Sequence, residues 1–254
     1  MMSDYISHNK ETIARWVTQG WEWSIPLAHT DFIRAKRGDY RLLLTPTRPV
    51  PPRWLGDLAG KRVLALASGG GQQGPILTAL GAQVTVFDFS KEQLQKEREV
   101  ALREGYAIEL VEGDVTKPLP FHDAGFDMIV HPVSNCYIEE VEPVWRECAR
   151  VLKPGGLLLA GLDNGINFAV DETEEHIMTA LPFNPLRHPR DLERCLAEES
   201  GYQFSHSIDE QIGGQLKAGF ELLDVFEDYN NAGRLGGMKI PTFWATLARK
   251  KRAL

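Results

Sequence analysis

Hydrophobic and polar positions follow two different periods along this chain, and the change of period marks its organisation. Over residues 9–23, Ile13, Trp16, Val17 and Trp21 recur at helical spacing and predict an amphipathic helix, with a second short helix expected from Thr30 to Lys36. The segment Thr45-Pro46-Thr47-Arg48-Pro49-Val50-Pro51-Pro52 follows. Its prolines remove backbone donors and fix φ, so it predicts an extended connector. After Gly60 short apolar runs take over: Arg62 to Ala67, Gln83 to Asp88, Ala107 to Val111, Phe126 to His131 and Leu157 to Leu162 read as strands. Helices separate them. One runs from Pro75 to about Leu80, and one is opened by the capping box Ser90-Lys91-Glu92-Gln93 and stopped by Gly105. Another carries Val141, Val144, Trp145, Cys148, Val151 and Leu152 on one face and is broken by Pro154-Gly155-Gly156.

The last third reads differently. Residues 163–206 show no strand pattern, and one helix is expected from His188-Pro189 to Gly201. A second capping box, Ser207-Ile208-Asp209-Glu210, opens a helix that reaches Ala218 and stops at Gly219. Phe220 to Tyr229 and Thr242 to Arg249 then read as strands joined by a loop rich in glycine and asparagine. With no helix between them they are expected to pair antiparallel. The fold class implied is α/β: a doubly wound, mostly parallel seven-stranded sheet with an antiparallel last strand, preceded over residues 1–60 by an N-terminal helical cap and the proline-rich connector.

Composition narrows the functional classes. The 254 residues are 43% hydrophobic, enough for one large core. No apolar run approaches the ~18–20 residues that cross a bilayer, and the polar N-terminus does not read as a signal peptide. No membrane association and a cytoplasmic location are therefore expected. The net charge of -7 repels phosphate backbones, which argues against a nucleic-acid partner. The basic run Arg249-Lys250-Lys251-Arg252 is expected to be a solvated tail, and the acidic run Asp171-Glu172-Thr173-Glu174-Glu175 a solvated helix start. Cys136, Cys148 and Cys195 are odd in number and scattered, which fits a reducing compartment. No metal site is expected, because His131, Cys136 and His176 lack ligand spacing.

The chemistry gathers at strand ends. Ala67-Ser68-Gly69-Gly70-Gly71-Gln72-Gln73-Gly74 joins a strand to a helix, and its Gly69, Gly71 and Gly74 fit G-x-G-x-x-G. Missing Cβ atoms let such a turn approach a ligand closely. Asp88 stands about 20 residues beyond the first glycine, at the tip of the next strand, where a carboxylate can accept two hydrogen bonds from a ribose diol. Folds that bind NAD and folds that bind S-adenosylmethionine (SAM) both use that arrangement. Asp114, after the third strand, lies on the same edge and could accept from the adenine amine.

From about Lys61 to Ala169 this order of motifs, closing on Leu152-Lys153-Pro154-Gly155-Gly156 and the antiparallel pair, resembles the class I SAM-dependent methyltransferases. It is similar to their small-molecule, type 11-like group, which includes ubiquinone-biosynthesis methyltransferases. The runs Ala67 to Gln73 and His131 to Cys136 are similar to one bacterial subgroup. The resemblance implies SAM as cofactor, a SAM-binding domain over 61–254, and an acceptor region inserted at about 163–206. It implies methionine-moiety contacts at Gly69 and Gly71, ribose contacts at Asp88, and adenine contacts at Asp114 beside Phe89 and Val115. His131 to Asn135 would border the sulfonium and a small-molecule acceptor. Two positions depart from the family: Ala65 stands where an acid is usual and Ala67 where glycine is usual, so Ser68, Gln72 or Gln73 are expected to supply substitute hydrogen bonds.

His131, at a strand end, is a candidate general base, or else a histidine finishing a buried strand. Asn135 and Tyr137 are candidates for orienting the acceptor. Trp16, Trp21, Trp23 and Tyr5 serve either the core of the cap helix or an aromatic lid, and the shared face of Ile13, Trp16 and Val17 favours the core. Two rival functions stay open on the residues alone: a NAD(P)-dependent oxidoreductase, and a non-enzymatic SAM-binding sensor.

Overall fold

Strands that are apolar at nearly every position must be covered on both faces, and that requirement builds this molecule. A computed structural model describes residues 5–252. The chain runs α1 (Tyr5–Thr18), α2 (His29–Ala35), α3 (Pro52–Leu55), β1 (Arg62–Leu66), α4 (Gln73–Ala79), β2 (Gln83–Asp88), α5 (Lys91–Glu104), β3 (Glu109–Glu112) and β4 (Phe126–His131). It continues through α6 (Glu142–Val151), β5 (Leu152–Asp163), α7 (Ile166–Ala169), α8 (Pro189–Ala197), α9 (Gly214–Lys217), β6 (Phe220–Asp228), α10 (Gly233–Gly237) and β7 (Phe243–Lys250). Among the described residues the strands form one seven-stranded sheet in the order β3-β2-β1-β4-β5-β7-β6. The contacts among β1 to β5 are parallel, and β7 runs antiparallel to both β5 and β6. The expected doubly wound sheet with an antiparallel last strand is thus the fold.

Side chains of successive strand residues point to opposite faces. Val63 and Ala65 of β1 pack with Ile76, Leu77 and Leu94 on one side, whereas Leu64 and Leu66 pack with Val144, Trp145 and Cys148 of α6 on the other. The amphipathic α6 ends where Leu152 turns extended, and Lys153 to Gly156 form an irregular start to β5 instead of a separate loop.

The proline-rich segment is irregular, as expected, yet it and its flanks supply core residues. Val50 within it, and Leu42, Leu44 and Trp54 beside it, sit in the same cluster as β1 and α4. Buried Asp228 pins it: the backbone N–H groups of Thr47 and Arg48 donate to its Oδ2 at 2.8 and 2.9 Å, and the Thr47 hydroxyl donates to Oδ1. Burial works to raise the Asp228 pKa, but these donors outweigh it and hold the carboxyl below its usual range. Val133 N–H donates to the Leu44 carbonyl at 3.0 Å, which lays the segment across the ends of β4 and β5.

Several local expectations change. Helix α1, described over Tyr5–Thr18, ends at Thr18, so Trp21 lies beyond it. The box at Ser90 is half made: Gln93 N–H donates to Ser90 Oγ at 3.2 Å, but the Gln93 amide turns away to the Trp23 carbonyl. The box at Ser207 is reciprocal, with Ser207 N–H on Glu210 Oε2 and Glu210 N–H on Ser207 Oγ. The acidic run is a turn closed by Asp171, with Glu175 paired to Arg234 at 2.8 Å. The basic run is not all tail: Arg249 and Lys250 belong to β7, paired with Glu221 and the Leu152 carbonyl. The loop between β6 and β7 holds the short α10, and the two strands pair regardless.

At Gly161 the Leu44 backbone comes so close that an added Cβ would lie 2.1 Å from its carbonyl oxygen. Gly161→Ala should therefore destabilise the protein by about 1–3 kcal/mol, the usual cost of overpacking, measured by urea unfolding. An unchanged midpoint would show that the connector gives way freely.

Candidate active site

The turn between β1 and α4 is held from three sides. Its first residue, Ala67, has φ +47°, and Gly70 and Gly71 have φ +102° and +76°. The position where the family usually has glycine thus adopts the left-handed backbone in this chain, which costs an alanine roughly 1–2 kcal/mol. Gly69 is needed for proximity: a Cβ would fall 2.6 Å from Gln93 Cβ and 3.0 Å from Asp88 Oδ2. Gly69 N–H donates to Asp88 Oδ2 at 2.8 Å and Ser90 N–H donates to Oδ1 at 2.9 Å, so Asp88 joins the turn to α5. Burial raises the Asp88 pKa against these donors.

Behind the turn, Gly71 N–H donates to Glu97 Oε1 at 2.8 Å. Glu97 is wholly buried, and desolvation pushes its carboxyl up to about 8, so it is protonated at neutral pH. In front, the N-terminal segment straps the turn: Leu27 N–H donates to the Gly71 carbonyl, and Gln72 Nε2 donates to the carbonyls of Glu22 and Ile25. Ser68 Oγ donates to Gln73 Oε1, and Gln73 Nε2 donates to the Leu43 carbonyl. These side chains order a loop whose usual acid is replaced by Ala65, itself fully buried in β1.

The turn opens onto a cavity of about 370 Å³. Ser68, Gly69, Gln72, Asp88, Phe89 and Tyr137, all named from the sequence, line it. Trp21 and Trp23 line it too, with Ile13, so the aromatic residues expected in the cap core form a wall of the site. Trp16 packs behind Trp21 at 5.3 Å between ring centroids, and Tyr5 packs edge-on against Phe204.

Other candidates stand outside the cavity lining. Gly71 faces Val100, Lys96 and Pro26. Asp114 accepts from the Thr116 backbone and hydroxyl at 2.8 and 2.7 Å, and Val115 packs toward the second core cluster. His131 and Asn135, expected to face the acceptor, are fully buried behind it. His131 Nδ1 lies 2.9 Å from the Leu66 carbonyl and Nε2 2.9 Å from Asn135 Oδ1. Asn135 Nδ2 donates to Gln211 Oε1, and Gln211 Nε2 donates to the Asp163 carbonyl. Burial pushes the His131 pKa down. Fully buried, with its ring nitrogens at Leu66 of β1 and at Asn135 after β4, His131 stands as a histidine that finishes a buried strand.

The sequence reading missed Asp163, Phe168, Arg194 and Phe243, which line the far side of the cavity. The acid closing the fifth strand run was a visible signal. Cys136 and Tyr137 also face inward, and desolvation raises both pKa values, keeping thiol and phenol protonated. Among the described residues no group of His, Cys, Asp and Glu could hold a metal ion.

Comparison with known proteins adds the identity. Residues 64–160 match the family model described as a methyltransferase domain. The protein called "Uncharacterized methyltransferase YbaJ" of Bacillus subtilis (strain 168) is 38% identical over 98% of this chain and 100% of its own length. The chain belongs to the class I SAM-dependent methyltransferases. A ubiquinone biosynthesis O-methyltransferase of Nitrosococcus oceani is 33% identical over 48% of this chain and 52% of that protein. A SAM-dependent methyltransferase structure from Mesorhizobium loti superposes with a TM-score of 0.61 at 18% identity, covering 78% of this chain and 94% of that one, and shares the fold. The cofactor of this methyltransferase is SAM, and the nicotinamide and sensor readings are set aside. No described helix is long and apolar enough to cross a membrane.

Two measurements check the turn. Glu97 binds a proton in the folded state that the unfolded chain, with its ordinary value of 4.5, releases. Stability tied to this group is present below that value and is lost as pH rises toward about 8. Glu97→Gln should therefore flatten the fall in Tm between these pH values while keeping the acceptor for Gly71 N–H; an unchanged slope would show that Glu97 is ionised. Ala67→Gly should stabilise by up to about 1 kcal/mol, relief of strain exceeding the added unfolded-state entropy, as read by calorimetric unfolding. A loss of stability would contradict the strain.

Proposed function

We propose that this methyltransferase methylates a small-molecule acceptor inside the cavity, with SAM lying along the carboxyl edge of β2, β1 and β4. The observation that carries the reading is the placement of the Asp88 carboxylate and the close-approach turn at Gly69 on one wall of a cavity whose other wall is the end of β5. The residues suit the cofactor: a buried acid for a ribose diol, Phe89 beside it, and a glycine, Gly69, next to Asp88. In this assignment Ser68, Gly69, Gly71 and Gln72 position the methionine moiety, Asp88 holds the ribose, and Phe89, Asp114 and Val115 border the adenine. Gly71, Asp114 and Val115 act through the shape of their loops. SAM supplies an electrophilic methyl group on a sulfonium.

The chain's own contribution is positioning and exclusion of water. Trp21, Trp23, Leu43, Leu44 and Pro46 from residues 1–60, and Asn167, Phe168 and Arg194 from residues 163–206, enclose the acceptor end. Tyr137 stands on the same wall as a neutral phenol and orients the acceptor, while His131 and Asn135 hold the strand ends in register. The acidic net charge of -7 and the enclosed site favour a metabolite over a nucleic acid, and the composition suits the cytoplasm. The quinone-biosynthesis relatives also act at the scale of a small molecule by name.

Isothermal titration calorimetry tests the assignment. SAM should bind and NAD should not, and Asp88→Ala should weaken SAM binding by about 1–3 kcal/mol, the range for hydrogen bonds to a charged group. Equal affinity in the variant would mean that Asp88 serves the turn alone.

A further inference from the structure

Asp163 is an unusual residue for the wall of an apolar cavity. It is 3% exposed, its Oδ1 accepts from Gly165 N–H at 3.1 Å, and its Oδ2 has no hydrogen-bond partner in the protein. A buried carboxylate ordinarily recruits a cation or several donors. Here Arg194, the one Lys or Arg on the cavity wall among the described residues, is occupied by Glu198 at 2.7 Å and by the Phe168 carbonyl at 2.8 Å. The other titratable wall groups are Asp88, Glu198, Cys136 and Tyr137. Of these, Cys136 stays a neutral thiol, its pKa raised by burial and then by the nearby Asp163 charge. Desolvation accordingly pushes the Asp163 carboxyl up to about 7.

The sheet order places this group. Asp88 ends β2 and Asp163 ends β5, three strands away across β1 and β4. At ~4.8 Å per strand that is roughly 14 Å, with the turn at Gly69 between them. A cofactor anchored by its ribose at Asp88 therefore leaves Asp163 beside the acceptor. Gln211, holding the Asp163 carbonyl from the end of the buried His131–Asn135 chain, fixes the strand end that carries it.

We propose that Asp163 is the general base of the reaction and that the acceptor atom is a hydroxyl oxygen on a mainly apolar body. This rests on the SAM-dependent reading of the cavity. As the new C–O bond forms, the methyl carbon leaves sulfur, the bonding pair stays on sulfur, and the hydroxyl proton passes to Asp163 Oδ2. The products are the methyl ether and the thioether form of the cofactor, with the proton released later to water. A neutral hydroxyl enters this apolar site at far lower desolvation cost than an ammonium group. A base with its pKa near neutrality is also matched to the transfer.

The test uses the full chain loaded with S-adenosylhomocysteine, with carbon-13 in the aspartate carboxyl groups. Loading followed by calorimetry checks the cofactor reading separately; failure to load overturns that reading, and this one with it. In the loaded protein the resonance missing from Asp163→Asn should titrate near 7. A midpoint in the ordinary carboxylate range near 4 overturns the proposal. Para-cresol, para-methylbenzylamine and para-methylanisole then serve as matched probes. The phenol should bind, shift the Asp163 resonance, and lose about fivefold in affinity in Asp163→Asn. Tighter binding of the amine, or equal binding of the anisole, overturns the hydroxyl assignment.

Discussion

The distance between the backbone at Gly69 and the side chains of Asp88 and Gln93 is the constraint on which the site depends. Two parallel strands and the helix that follows the second must meet there with no side chain between them. Once they do, one carboxylate bonds to the turn with one oxygen and to the entry of α5 with the other. Any larger residue at 69 would separate β1 from the start of α5 and undo the wall of the cavity. The strap over residues 22–27 and the Glu97 carboxyl behind the turn then hold a loop that would otherwise be mobile backbone.

A second theme is that three of the buried acids, Glu97, Asp228 and Asp163, serve without cations. Glu97 is neutralised by taking a proton, Asp228 is satisfied by backbone and hydroxyl donors, and Asp163 is left with an open oxygen. The three outcomes follow from what each acid can reach. Glu97 lies behind the glycine turn with one N–H group, that of Gly71, in reach. Asp228 meets two consecutive N–H groups at the start of an irregular segment. Asp163 looks into a cavity, where the partner is supplied by whatever enters.

The N-terminal sixty residues do more than cover the domain. Their apolar positions complete the core on one side of the sheet, and their carbonyls receive the turn's side-chain donors. Core and site therefore share residues, and Leu44 is the plainest case: its side chain packs in the core while its carbonyl accepts from Val133. A chain built this way couples folding of the N-terminal segment to formation of the acceptor pocket.

The strands were legible because their signal is local: apolar runs bounded by glycine and acid residues give β2 and β4 with their observed ends, and the glycine turn with Asp88 pointed to the nucleotide edge. The direction of the last strand was read from the lack of a crossover-length helix pattern before it, again a local fact, and the five-residue α10 found there is too short to serve as a crossover. What lay beyond the sequence was contact between segments far apart in the chain. No periodicity reports that Trp21 and Trp23 reach the cavity across from Phe243, or that the Gln93 amide abandons its own cap for the Trp23 carbonyl. His131, at the end of a strand, read either as a general base or as a histidine finishing a buried strand; its burial and its partners at Leu66 and Asn135, one from a neighbouring strand, fit the second. Asp163 was one residue past a predicted strand, and only the packed molecule shows that its Oδ2 is left without a protein partner on the cavity wall. The pattern along the chain decides which backbone pairs form, since those energies repeat residue by residue. Which polar group faces a ligand is decided by what the remaining elements leave unpaired, and that is a property of the packed molecule.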